Sequence, residues 1–217
     1  MTTPNTPTRL AVLVSGSGTN LQALLDAIDT DPDFGGEVVV VGSDRPAAAG
    51  LQRARAAGVA TLVEALEAHD DRVTWERALR AGLERHRPDV VVLAGFMRIL
   101  SGEFLSGWPG RVVNTHPSLL PAFRGAHAVR DALAYGVKVT GSTVHIVDEQ
   151  VDHGPIVAQA TVAVEVGDTE ETLHARIKAL EHQLLPACVR WFCHGRVVVH
   201  GRHVRIVEAV PDPEESS

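Results

Sequence analysis

Asn114 and His116 combine an amide that donates hydrogen bonds with an imidazole that exchanges protons. They lie in residues 111–125, which read RVVNTHPSLLPAFRG, where a β-prone run ends. Pro117 and Pro121 prevent a regular continuation, because proline lacks a backbone N–H and disfavours helix in the residue before it. Open α/β sheets bind their ligands at such strand ends. The segment therefore predicts a reaction centre, and the alternative is a satisfied amide and a surface histidine beside a proline turn.

A carboxylate is the third candidate. Asp152 lies in residues 148–154, which read DEQVDHG, between two predicted strands. A carboxylate close to His116 would raise the pKa of the imidazole and hold it cationic, although an aspartate before His-Gly-Pro is by itself an ordinary turn residue. No serine or cysteine has a credible base partner. The set therefore predicts direct attack of a substrate amine on an acyl group, with the enzyme stabilising the oxyanion.

The turn at residues 15–20, which reads SGSGTN, is the first candidate binding element. It is not the dinucleotide fingerprint, because Leu21 occupies the place of the third glycine. Its glycines let backbone N–H groups approach a ligand, and the N-terminus of the following helix favours an anion. The turn predicts a phosphate monoester rather than a pyrophosphate, and a tight turn without a ligand is the alternative.

The eleven histidines raise the question of a metal site. No two of them form His-x-x-x-His on one predicted helix, and the chain has no Cys-x-x-Cys. Cys188 and Cys193 are five residues apart in a helical pattern and do not share a face, so they predict reduced thiols. We expect no metal.

Composition limits the class of protein. The chain has 217 residues, 45% of them hydrophobic and 22% charged, which predicts one globular domain with a large core. A net charge of −7 predicts no general attraction to nucleic acid or to anionic lipid. The N-terminus lacks the apolar segment of a signal peptide, and no apolar run approaches the roughly 18 residues of a membrane span. We expect a cytoplasmic protein without membrane or nucleic-acid partners.

Hydrophobic periodicity predicts the elements that position these residues. Continuous apolar runs predict five buried strands at residues 10–14, 38–41, 59–63, 89–94 and 111–114. Alternating runs predict two more strands at residues 139–147 and 155–164, one of them antiparallel. Helical patterns separate the first five strands, and a long helix capped by Asp168 follows the seventh.

These elements predict an α/β fold. We expect a Rossmann-like three-layer sandwich with a mostly parallel central sheet of about seven strands, one of them antiparallel, and helices on both faces. A single domain would comprise a polar tail at residues 1–8 and a catalytic core at about 9–193. Residues 194–217 would form a terminal hairpin and an acidic tail.

Several motifs together resemble a known family. They are NTHPSLLP from Asn114, Asp-x-Gly-Pro from Asp152, SGxGxNL from Ser15, VLAGFMRIL from Val92 and the pair Glu181-His182. Over about residues 9–193 the chain resembles the folate-dependent formyltransferases. Some members add a C-terminal barrel or an N-terminal domain, for which we expect no room here.

The resemblance implies an activity. It implies transfer of the formyl group of 10-formyltetrahydrofolate to the amine of 5'-phosphoribosylglycinamide, directly and without a metal, in de novo purine biosynthesis. The partners would be small molecules, and a homodimer is compatible with the family. Two other functions stay open: formyl transfer to an amino-sugar nucleotide, and a non-catalytic nucleotide-binding α/β module.

The resemblance also implies roles for individual residues. The catalytic set would be Asn114, His116 and Asp152, with His127 in support. Phosphoribosylglycinamide would be bound by Gly18, Thr19, Asn20 and Glu181. The folate would be bound by Arg72, Met97, Arg98, Ile99, Leu100 and Asn114, assisted by the backbone of residues 147–152. Arg124 stands where many relatives have proline, and the sequence leaves open whether it loosens that loop or only adds a surface cation.

Overall fold

A computed structural model describes residues 6–208 of the chain. Its strands are β1 (Thr8–Val14), β2 (Gly36–Ser43), β3 (Ala60–Val63), β4 (Val90–Leu93), β5 (Val112–His116), β6 (Val139–Ile146), β7 (Ile156–Ala163), β8 (Val197–His200) and β9 (His203–Ile206). Its helices are α1 (Thr19–Thr30), α2 (Ala49–Ala56), α3 (Arg72–Glu84), α4 (Gly102–Leu105), α5 (Ala128–Tyr135) and α6 (Glu170–Cys193).

Seven strands form one sheet in the order β3-β2-β1-β4-β5-β6-β7, and β8 and β9 form a separate antiparallel hairpin. Strands β1 to β5 run parallel to one another. Strand β6 is antiparallel to both β5 and β7, so it alone of the seven runs against the others. The predicted fold class is therefore confirmed.

Helices cover both faces of the sheet because alternate residues of each buried strand point to opposite sides. Leu10 and Val12 of β1 pack in a core with residues of α1, α2 and α6. Ala11 and Leu13 pack in a second core, which includes Trp75 of α3 and residues of α4. Burial on both sides explains why the central strands are continuous apolar runs. Among residues 6–208, no helix is long and apolar enough to cross a membrane.

Two predicted boundaries were wrong. Strand β1 begins at Thr8, inside the predicted polar tail, because the N–H of Thr8 donates to the carbonyl oxygen of Gly35 and the residue pairs with Gly36. The cap of α6 is Thr169 and not Asp168, whose carboxylate instead accepts hydrogen bonds from Arg176. The rest of the predicted tail, residues 1–5, and the acidic end at residues 211–217 lie outside the described residues.

Thr169 should contribute measurably to stability, because its hydroxyl accepts from the N–H of Thr172 and the Thr172 hydroxyl accepts in return from the N–H of Thr169. Replacing an N-cap threonine by alanine typically costs about 1 kcal/mol. We expect Thr169→Ala to lower the free energy of unfolding by about that amount in urea titrations, and Thr169→Ser to restore most of it. Equal stability of the alanine variant and the parent would contradict the capping role.

Candidate active site

The crevice lies at the carboxyl ends of β1 and β4, neighbouring strands whose connections leave to opposite sides of the sheet. The loops that follow these strands contact each other directly. The N–H of Ser15 donates to the carbonyl oxygen of Gly95 at 3.1 Å, and the N–H of Met97 donates to the Ser15 hydroxyl at 2.9 Å. The glycine turn and the predicted folate segment therefore form one continuous edge.

Asn114 and His116 lie on the same face of β5, because side chains two residues apart in a strand point the same way. Asp152 comes from the loop between β6 and β7, which folds back against that face. Its Oδ2 lies 3.3 Å from Nδ1 of His116. The structure thus places an imidazole and a carboxylate in contact, with an amide one position away on the same strand.

Local backbone contacts fix the orientation of Asp152. Its φ of 48° lies in the left-handed region that few non-glycine residues adopt. The N–H of Gly125 donates to Oδ2 of Asp152 at 2.8 Å. The carbonyl oxygen of Phe123 lies 2.8 Å from Nε2 of His116 and can only accept. The segment around Arg124, whose order the sequence left in doubt, is thereby bonded to both reacting side chains.

His145 is a site residue that the sequence analysis missed. It is buried in β6 opposite Asn114, with its Nε2 at 3.2 Å from Nδ2 of Asn114 and 3.7 Å from the Asp152 carboxylate. Its Nδ1 lies 3.1 Å from the carbonyl oxygen of Ile146, so Nδ1 carries the hydrogen and Nε2 accepts from Asn114 in the neutral ring. The sequence signal that could have identified it was a histidine within the predicted strand at residues 139–147, which pairs with residues 113–116 of β5.

Burial opposes the expected cationic state of His116. Desolvation lowers the pKa of His116 below its usual 6.5, because a buried ring resists charging. The Asp152 carboxylate and the Phe123 carbonyl oxygen act in the opposite direction without overcoming that effect. Both ring nitrogens face groups that accept hydrogen bonds, so the contacts favour the protonated ring while burial opposes it, and the prediction that Asp152 keeps the ring charged stays a prediction. Asp152 makes it easier for the ring to accept a proton.

Asp152 itself is ionised. Burial acts to raise its pKa, but the nearby ring of His145, a protonated His116 and the N–H of Gly125 together outweigh burial and leave the pKa below 3.8. The site thus holds a negative charge beside an imidazole whose pKa is lowered by burial. Such a pair suits a proton that arrives and leaves within one reaction.

The glycine turn forms the second part of the site. Gly18 precedes α1 with a φ of 69°, and a Cβ at that position would come within 2.5 Å of the Cα of Gly50. Both glycines are therefore required for this close approach. Thr19, the first residue of α1, lines a cleft of about 450 Å³ together with Arg53 and His182. The helix N-terminus and a nearby guanidinium make this end of the crevice suitable for an anion.

Asn20 and Glu181 meet across 161 residues of sequence. Nδ2 of Asn20 donates to Oε2 of Glu181 at 2.9 Å, and both side chains are buried. Burial raises the pKa of Glu181 above its usual 4.5, and the hydrogen bond from Asn20 opposes the shift. Oδ1 of Asn20 is buried and has no hydrogen-bond partner within residues 6–208. This pair therefore offers a ligand both a free acceptor and a carboxylate.

Lys178 is a second residue that the sequence analysis missed. It lies one helical turn before Glu181 and His182 on α6, on the side that faces the glycine turn. Burial lowers the pKa of His182, and the positive charge of Lys178 lowers it further. A lysine spaced by three and four residues from the Glu-His pair was the signal in the sequence.

The predicted folate residues divide into exposed and buried members. Met97 and Ile99 are 62% and 55% exposed, which is unusual for apolar side chains in a crevice. Leu100 is buried in the core instead, so that only its backbone can face a ligand. Arg72 keeps an exposed guanidinium that donates to the carbonyl oxygen of Ile99. Arg98, by contrast, directs its guanidinium to Asp44 at 2.8 Å.

His127 is exposed just before α5, and none of the hydrogen bonds of the His116–Asp152 pair includes it. Its supporting role remains a prediction. Within the described part of the chain, no three His, Cys, Asp or Glu side chains are grouped so that they could hold a metal ion. The expectation of metal-independent chemistry likewise remains a prediction.

Comparison with known proteins places these residues in context. A family described as formyl transferase matches residues 8–189. The phosphoribosylglycinamide formyltransferase of Mycobacterium tuberculosis is 52% identical over 199 residues, which cover 92% of this chain and 91% of its own. The Escherichia coli protein of the same name is 45% identical over 191 residues, covering 88% and 90%. Glycinamide ribonucleotide transformylase 1 from Symbiobacterium toebii has a TM-score of 0.93 at 48% identity, covering 96% and 98%.

The pKa of His116 can be measured by NMR titration of its ring protons. We expect a value below 6.5 in the parent, because burial outweighs the neighbouring carboxylate. Asp152→Asn removes the group that raises the pKa, so the value should fall further. A value that stays the same or rises in this variant would show that Asp152 does not stabilise the imidazolium. The resonance is assigned with His116→Gln.

Glu181 should make stability depend on pH in a defined direction. Its pKa is raised on folding, so its contribution to stability is full below about 4.5 and is lost as pH rises through the folded pKa. Glu181→Gln retains an acceptor for Asn20 but cannot ionise. We expect this variant to gain stability relative to the parent as pH rises from 5 to 8 in urea titrations. Glu67→Gln, the same change at an exposed residue, is the control, and identical pH profiles for Glu181→Gln and the parent would contradict the inference.

Proposed function

The chain belongs to the formyl transferase family, and from this premise we propose that it formylates the amine of 5'-phosphoribosylglycinamide. The formyl donor is 10-formyltetrahydrofolate, and the products are 5'-phosphoribosyl-N-formylglycinamide and tetrahydrofolate. The reaction belongs to de novo purine biosynthesis. The contact between His116 and Asp152, in a crevice that ends at an anion-binding turn, is the observation that carries the proposal.

The acceptor substrate fits the glycine turn and α6. Its phosphate binds at the N-terminus of α1, where Gly18 and Thr19 present backbone N–H groups and Lys178 supplies a positive charge. Glu181 accepts hydrogen bonds from the ribose hydroxyls, while Asn20 keeps its carboxylate in place. The absence of a third glycine from the turn favours a phosphate monoester over the pyrophosphate of a sugar nucleotide.

The donor substrate fits residues 97–100. The exposed side chains of Met97 and Ile99 contact the flat pterin and benzoyl rings. This contact removes the apolar surface of both side chains from water, which is favourable. Backbone groups of Arg98 and Leu100 supply hydrogen bonds. The exposed guanidinium of Arg72 binds the carboxylates of the glutamate tail.

The reaction proceeds through a tetrahedral intermediate. The amine of the acceptor attacks the formyl carbon, and the side-chain amide of Asn114 donates to the oxygen on which negative charge develops. The proton lost by the amine passes to His116, which is neutral at the start, and the carboxylate of Asp152 stabilises the imidazolium. The same proton then moves to the folate nitrogen as the bond between carbon and that nitrogen breaks. No metal takes part in this scheme.

We also propose a cellular compartment and partners for the enzyme. Both cysteines of the chain are free thiols, which fits a reducing cytoplasm. The substrates are small molecules, and a homodimer remains a prediction.

The proposal is tested by following tetrahydrofolate formation by absorbance, with phosphoribosylglycinamide present and absent. We expect turnover only when it is present, and no comparable turnover with amino-sugar nucleotides. Asn114→Ala should lower kcat by about 10²–10³, because one oxyanion donor is removed. His116→Ala should nearly abolish transfer while leaving phosphoribosylglycinamide binding measurable by calorimetry.

The matched control is His203→Ala, which removes an exposed histidine from the terminal hairpin and should retain the activity of the parent. Parental turnover in His116→Ala would remove the imidazole from the mechanism. Nucleotide binding without any formyl transfer by the parent would support the non-catalytic module instead.

A further inference from the structure

Asp44 is a buried carboxylate that takes no part in the steps above. It follows β2 directly, and its side chain is fully shielded from solvent. A charge so deeply buried is strongly unfavourable unless other groups are bonded to it. Its partners therefore indicate what the residue holds in place.

Those partners lie in the glycine turn at residues 15–20 and in residues 97–100. The hydroxyl of Ser15 donates to Oδ1 of Asp44 at 2.6 Å, and Nε of Arg98 donates to Oδ2 at 2.8 Å. The Ser15 oxygen also accepts from the N–H of Met97 at 2.9 Å. One carboxylate is thus bonded to the start of the glycine turn and, by two routes, to the segment proposed to bind the folate.

The sheet brings these groups together. Strands β2, β1 and β4 are adjacent and parallel, so the residues that follow them emerge at the same edge. Asp44 follows β2, Ser15 follows β1, and Arg98 lies in the connection after β4. A carboxylate at the end of β2 is therefore within reach of both neighbouring loops.

We propose that Asp44 is a positioning residue that fixes residues 97–100 for the folate through Arg98 and Ser15. The inference rests on the proposed function. Residues 97–100 lie between β4 and α4 and belong to neither, so no regular ladder holds them. Their far end is held by the buried carboxylate of Glu76, which accepts from Ser101 and Arg72. Asp44 performs the same task at the near end.

The sequence assigned Arg98 to folate binding, and this inference changes the role of its side chain. Its guanidinium is directed to Asp44 and lies 3.8 Å from Glu67, so its charge is compensated within the protein. The backbone of Arg98 remains available to a ligand. Removal of the guanidinium should therefore act by displacing the segment.

The test compares Michaelis constants for the two substrates. Asp44→Asn keeps an acceptor for Ser15 but loses the charge that binds Arg98, whereas Asp44→Ala loses both. We expect KM for 10-formyltetrahydrofolate to rise about 10-fold in the asparagine variant and up to about 100-fold in the alanine variant, because one or two hydrogen bonds to a buried charge are lost. KM for phosphoribosylglycinamide and kcat should change less than about threefold.

These readouts separate positioning from a general loss of folded protein, which would lower kcat and leave both KM values unchanged. Arg45→Gln is the control, because Arg45 is exposed and lies 3.8 Å from the same carboxylate. It should leave all three constants unchanged. If Asp44→Ala does not fold, Asp44→Asn alone carries the test. An unchanged KM for the folate, or equal rises for both substrates, would overturn the proposal.

A double variant tests the route through Arg98. If Asp44 acts through its guanidinium, the KM for the folate in Asp44→Asn/Arg98→Gln should equal that of the more affected single variant. If the increases in KM of the two single variants multiply in the double variant, Asp44 and Arg98 act independently and the route through Arg98 is wrong.

Calorimetric titration with tetrahydrofolate distinguishes this proposal from the proposed function. If the parent transfers no formyl group, the proposed function fails, but weaker tetrahydrofolate binding by Asp44→Asn would still support the positioning role. Equal dissociation constants, or no binding by the parent, would overturn that role.

Discussion

The site depends on the contact between a carboxylate and an imidazole that are both shielded from water. Burial strengthens the attraction between Asp152 and a protonated His116, and it also makes the protonated ring harder to form. Because these effects oppose each other, the ring resists charging and still has a stabilising charge beside it when a proton arrives. Acyl transfer from one nitrogen to another requires this behaviour, since the proton lost by the attacking amine must be returned to the leaving nitrogen.

The reversal of one strand makes that contact possible. Strand β6 runs against β5, so the loop that leaves it begins beside the start of β5, where the N–H of Val147 donates to the carbonyl oxygen of Val112. From there the loop folds back over the face that carries Asn114 and His116. The same reversal places His145 opposite Asn114 and fixes the orientation of the amide. The parallel strands lead into the glycine turn and residues 97–100, and the loop after the antiparallel strand carries Asp152.

Buried polar groups hold the irregular parts of the crevice in place. Asp44 and Glu76 are bonded to the two ends of residues 97–100, and Asn20 and Glu181 join helix α1 to helix α6. The first two matter for order because residues 97–100 have no ladder hydrogen bonds of their own. The raised pKa of Glu181 and the left-handed backbone of Asp152 show that the site is not built for maximal stability.

The sequence by itself determined the elements and the candidate catalytic side chains. Apolar runs and their change of period follow from local physics, so the seven strands, the single antiparallel strand and the turn at Gly18 could all be predicted. Asn114, His116 and Asp152 could be predicted as candidates because their types suit one reaction. Only the tertiary structure decided the burial of His116, the partner of Arg98 and the places of His145, Lys178 and Asp44. The physical reason is that solvation and hydrogen bonding depend on all segments that surround a group, and those segments are remote in the chain.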